Sequence, residues 1–167
     1  LLNQQGISVN ADGVQPPPGR DSWSFDFARA DPGFFQVAGI PMVEGREFTD
    51  LDDADSAQVA IVNQALVDVL FPGRSALGEQ LRGSRANGGR AYEIVGVART
   101  TKVRTLGEPP RPMVYVPFAQ DFSGGMNLLA TTEGSSRELS MAMLRTAREL
   151  DPDLRVFESK TMERHLG

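Results

Sequence analysis

Cysteine is absent from these 167 residues. That removes disulfides, cysteine-based zinc sites and thiol nucleophiles together. It leaves the redox compartment open, because a periplasmic domain of this size and a cytosolic one both manage without disulfides. Histidine occurs once, as His165 near the end of the chain. A serine-histidine-aspartate site needs histidine held between an acid and a nucleophile, and no G-x-S-x-G elbow is present, so the expected His165 is a solvated surface residue. No run of about 18 apolar residues occurs, so nothing in the sequence reads as a membrane-spanning helix. The N-terminus lacks the basic-then-apolar form of a signal peptide. It begins Leu1-Leu2 without an initiator methionine, which points to a piece of a longer protein.

Positive charge is in deficit, with 17 Lys and Arg against 22 Asp and Glu, net −5. The cations are dispersed rather than striped, which disfavours nucleic acid and anionic lipid as partners. Arg99, Lys102, Arg104 and Arg111 form a loose basic run that reads as a solvated loop. The acidic cluster Asp50, Asp52, Asp53, Asp55 departs from a calcium loop. Counting from Asp50, the glycine and glutamate places of an EF-hand hold Asp55 and Ile61. The cluster is expected to be an exposed acidic turn. The glycine-rich segment 83–89 matches neither a P-loop nor a dinucleotide fingerprint and reads as a hairpin tip. No cofactor, metal or catalytic set is expected.

What the sequence does contain is alternating strand and helix patterns. Strands are expected near 7–14, 23–29, 40–48, 59–62, 79–82, 91–98, 113–118, 127–132 and 154–158. Trp23, Phe25 and Phe27 share one strand face, with Trp23 expected in the core. Val59–Val62 is continuously apolar, as in a strand covered on both faces. Asp31 with Pro32 predicts a short helix start. Asn63 is placed to cap a helix over 64–71 with Leu66, Val69 and Leu70 as its buried stripe, stopped by Pro72-Gly73. Ser135 and Glu138 have capping-box spacing for a helix over 136–150, whose Leu139, Met143, Ala147 and Leu150 are expected in the core. Its flanking strands predict a right-handed crossover, followed by a short helical stretch 161–166. The fold class is α+β, a mixed α/β chain with mixed sheets, βαβ units and a β-hairpin.

Several blocks in order, FFQVAGIPMVEGREF, VAIVNQALVDVLFPG with ALGEQLR, YEIVGVART, PMVYVPF and ARELDPDLRV, together resemble the periplasmic core domain of MacB-like ABC transporter permeases. The matching positions Phe35, Gly39, Gly45, Arg46, Phe48, Val62, Asn63, Phe71, Pro72, Gly78, Gly96 and Val97 are framework positions in this resemblance, none of them catalytic. The glycines would permit turns or close backbone approach, Phe35 and Phe71 would fill the core, and Asn63 would cap. The resemblance implies one core domain over 1–167 in two lobes. A central lobe would take about 30–125, and a membrane-proximal lobe 1–29 with 126–167, its N-terminal part incomplete.

The resemblance further implies a periplasmic domain of an inner-membrane permease. Membrane helices of the parent chain would flank it, and a separate ABC ATPase subunit would supply hydrolysis. The partners it allows are a periplasmic adaptor protein and a second permease copy. The implied work is transmission of ATP-driven motion for export or envelope signalling. Two rivals stand beside it. A free-standing ligand- or protein-binding α/β module requires a deep apolar pocket, and a hydrolase of unfamiliar site requires a cleft of perturbed titratable groups.

Overall fold

In the computed structural model, which describes residues 5–83, 88–101 and 111–156, the α+β class holds. The strands are β1 (Gln5–Ala11), β2 (Trp23–Ala30), β3 (Met42–Gly45), β4 (Val59–Asn63), β5 (Gln80–Gly83), β6 (Ala91–Ala98) and β7 (Met113–Pro117). The helices are α1 (Phe34–Val37), α2 (Gln64–Leu70) and α3 (Ser136–Leu150). The chain divides into two compact units, Leu1–Leu128 and Leu129–Gly167.

The first unit holds one sheet in the order β3-β6-β4-β7-β2-β1-β5, and β5 pairs again with β6. The ladder therefore closes on itself, which leaves few free strand edges. β2 with β7 and β4 with β6 are parallel, and β4 reaches β6 through α2 and β5. The β5–β6 pair is the expected hairpin. Its tip at 84–87 lies outside the described residues.

Register explains the core. Ile7 pairs with Phe25, Phe27 with Val114, Val62 with Val114, and Leu81 with both Ala11 and Tyr92. All of these belong to one buried cluster, sealed by Leu66, Leu70 and Phe71. The alternate residues Ala28, Ala30, Val59, Ile61 and Tyr115 point the other way and form a second cluster with Phe35 and Phe48. The apolar run at 59–62 is buried throughout because each of its faces meets one cluster.

Several sequence expectations are corrected. Residues 127–132 form no strand, and neither do 154–156, so the crossover around α3 is not formed among the described residues. Residues 157–158, the 161–166 helix and His165 lie outside the described residues. The helix begins two residues later than Asp31 predicts: Gly33, at φ +81°, precedes α1 with no side-chain cap, and the Asp31 carbonyl instead accepts from the Phe34 N–H.

Val69 is exposed on α2, where Ala65 takes its place in the stripe with Leu66 and Leu70. Trp23 is only partly buried, packed against the first cluster. α3 forms with the Ser135 hydroxyl accepting from the Glu138 N–H at 3.3 Å, yet none of its residues is buried and Leu150 is 82% exposed. Its own unit offers no second described element to cover that face. β1 and β2 lie in the sheet with the central strands, within the unit Leu1–Leu128. Burial of Ile7, Phe25 and Phe27 in the same cluster as Val62 and Val114 puts them there.

Candidate functional site

Among the described residues three polar side chains are buried, and each bonds to backbone or forms an ion pair. Asn63 Oδ1 accepts from the Leu66 N–H at 3.1 Å, capping α2, and from the Met113 N–H at 3.0 Å. Its Nδ2 donates to the Arg111 carbonyl at 2.7 Å. One amide thus fixes the strand end, the helix start and the entry of β7. Gln120 Oε1 accepts from the Val59 N–H at 3.0 Å, and its Nε2 donates to Ser56 Oγ and the Ala57 carbonyl, both at 2.9 Å. It tethers the turn after β7 to the start of β4.

Asp52 is the third. Arg46 grips its carboxylate with two nitrogens at 2.7 and 2.8 Å, and the Thr49 N–H donates at 2.8 Å. The acidic segment is therefore not wholly an exposed turn: Asp52 is buried. Asp53 Oδ1 accepts from the N–H groups of Asp55 and Ser56, both at 3.0 Å. No group of three or more His, Asp or Glu among the described residues is placed to hold a metal.

The Arg46 hydrogen bond, opposed by desolvation and aided by the Thr49 N–H, holds the Asp52 carboxyl below the usual carboxylate range. A depressed folded pKa means stability that is present above the unfolded value of about 3.9 and lost as pH falls through the lower folded value. Arg46→Ala is therefore expected to raise the midpoint of acid unfolding. Near pH 7 it is expected to cost about 1–2 kcal/mol, discounted because the Arg46 side chain is 47% exposed. Circular dichroism across pH 2–5 checks both. A midpoint unmoved from wild type contradicts the assignment.

Five of the framework positions fall into two groups, Gly45, Arg46 and Gly96 at the β3–β6 pair and Phe35 with Phe48 in the second cluster. Gly45 faces Gly96 across β3 and β6. Arg46 follows directly, its N–H donating to the Val95 carbonyl at 3.0 Å. Phe35 and Phe48 lie 6.2 Å apart, ring centre to ring centre, and Phe35 meets Tyr115 edge-on at 5.0 Å. Burial pushes the Tyr115 phenol up to about 12, so it stays neutral and serves packing. Asn63 and Phe71 lie elsewhere, at the two ends of α2, and the Arg74 guanidinium sits 4.9 Å over the Phe71 ring. Pro72 is exposed just after it. Gly39 and Gly78 end α1 and lead into β5 with φ of +66° and +76°.

Arg111 pairs with Asp26 at 2.8 Å, and Lys102 and Arg104 lie outside the described residues. Sequence reasoning missed Gln120 and the Asp52 partner of Arg46. Nothing in the local pattern names them, since both act on segments brought near by the fold. It also missed the surroundings of Trp23. No described helix is long and apolar enough to cross a membrane.

The model of the MacB-like periplasmic core domain family matches residues 7–153. A macrolide export ATP-binding/permease protein MacB of Syntrophobacter fumaroxidans is 26% identical over 52% of this chain and 12% of its own. An uncharacterized ABC transporter permease, YvrN of Bacillus subtilis, is 32% identical over 52% of this chain and 21% of its own. The chain thus spans a small part of the curated relatives it matches.

Among solved structures, the periplasmic region of MacB from Actinobacillus actinomycetemcomitans superposes with a TM-score of 0.62 at 15% identity, over 88% of this chain and 64% of that one. The extracellular domain of the noncanonic ABC-type transporter YknZ from Gram-positive bacteria gives 0.54 at 20% identity, over 90% and 77%. These likenesses show a shared fold.

Proposed function

The chain belongs to the family of MacB-like periplasmic core domains, a permease family and not an enzyme family, and we propose that it works as a stiff extracytoplasmic body moved by membrane helices of a parent ABC permease. Motion driven by ATP in a separate nucleotide-binding subunit would reach the outside of the membrane through it, for export or envelope signalling. The observation that carries this reading is how the buried polar groups are used. Asn63, Gln120 and Asp52 all lock segments together, and the closed ladder encloses a packed core. Close-packed interiors transmit displacement rather than absorb it. A periplasmic adaptor and a second permease copy are the partners this reading allows, and the framework residues act in it by keeping the body rigid.

The parent gene offers the first test: apolar helices must flank this segment. The second uses introduced cysteines, since these 167 residues hold none, with any cysteine elsewhere in the complex replaced. In the full-length permease with its ATPase, spin labels at Leu51→Cys and Arg82→Cys, both exposed in the first unit, are expected to keep one distance distribution. Labels at Leu51→Cys in two copies are expected to change separation between nucleotide-free and vanadate-trapped states. A broadening inside the unit, or no change between copies, defeats the proposal.

A further inference from the structure

A groove of about 360 Å³ opens on the first unit beside the start of β2, lined by Pro17, Arg20, Trp23, Val69, Arg111 and Pro112 among others. We propose that it is a binding site for a small amphipathic carboxylate, an apolar or aromatic body carrying one anionic group. The volume lies within the range of small-ligand sites.

The walls supply both halves of that chemistry. Trp23 stacks on Phe25 at 5.9 Å with the ring planes 16° apart, which fixes the indole as a flat platform. Pro17, Pro112 and Val69 add apolar surface, and Val69 is exposed here although it lies on a helix whose stripe is otherwise inward. The charges do not balance. Asp26 is neutralised by Arg111, which holds both its carboxylate oxygens at 2.8 and 3.0 Å. Arg20 is exposed, and its guanidinium has no acceptor among the described residues. The Trp23 indole N–H is shielded from solvent and also lacks an acceptor. The Arg20 guanidinium beside apolar walls, on a chain of net charge −5, selects an anion that brings its own apolar surface. Arginine is well suited to hold a carboxylate by paired hydrogen bonds. The site is independent of the transmission reading above.

Trp23 is the only tryptophan, so fluorescence excited at about 295 nm reports on this groove alone. The probes are N-acetylphenylalanine and its neutral amide, at equal ionic strength. A saturable change with the carboxylate is expected, with the amide and the Arg20→Ala variant each about tenfold weaker or more. Arg20→Lys keeps the charge and is expected to retain most of the affinity. No saturable change, equal binding of acid and amide, or undiminished binding by a folded Arg20→Ala chain overturns the proposal. Should Arg20→Ala not fold, the comparison of acid with amide on the unaltered chain decides alone.

Discussion

One methyl group added at Gly45 is expected to destabilise the first unit by about 3–5 kcal/mol, out of a total of about 5–15 kcal/mol for a domain of this kind. Two costs combine. Gly45 has φ +72°, where a side chain is strained. A Cβ there would also lie 2.2 Å from the Val95 carbonyl oxygen and 2.7 Å from Leu77 Cδ2. That carbonyl cannot retreat freely, because it accepts the Arg46 N–H at 3.0 Å. Across the ladder Gly96 is just as tight, its own Cβ falling 2.3 Å from the Arg46 carbonyl oxygen. The strands β3 and β6 therefore approach closely only because both positions are glycine.

Pushing them apart releases β3 together with the Arg46–Asp52 pair and Phe48 behind it. Gly13→Ala is the control, since Gly13 has φ +77° with nothing within 4 Å and bears only the backbone cost of about 1–2 kcal/mol. Urea unfolding of both variants is the measurement. Equal losses at Gly45 and Gly13 would show that the close approach contributes nothing.

How far the fold could be read in advance depended on whether the signal was local. The run Val59–Val62 announced a strand covered on both faces, because burial on each side forbids polar residues at every position. Asn63, Pro72 and Gly73 bounded α2 for reasons contained in a few residues. What could not be read was pairing at a distance. Nothing in QLRG says that β5 bridges β1 and β6, because closure is set by which register satisfies two neighbours at once. Residues 127–132 have the β-branched and apolar content of a strand but no described partner, and a strand pattern without a partner stays loop. Val69 was misplaced because helical spacing alone cannot tell which side of a wide stripe meets the core. The ion pair of Arg46 was equally hidden, since one aspartate among four is selected by backbone geometry at Thr49.

Asn63 carries the second large effect, and it separates two roles that the sequence merged into one. As a cap alone, its loss would cost about 1 kcal/mol, the ordinary price of an N-cap. The structure gives it two further bonds, to the Met113 N–H and the Arg111 carbonyl. Asn63→Ala leaves the Leu66 and Met113 N–H groups without acceptors in a buried place, and each such orphan costs about 1–3 kcal/mol. The expected loss is about 3–5 kcal/mol in urea unfolding. Asn63→Ser keeps a short acceptor that reaches the helix start but does not span to β7, so it is expected to recover about 1 kcal/mol of that loss. Hydrogen exchange distinguishes the two: in the serine variant the Leu66 amide regains protection while the Met113 amide does not. A serine variant as stable as wild type would reduce Asn63 to a helix cap. β7 would then be held by its pairing with β2 and β4 alone.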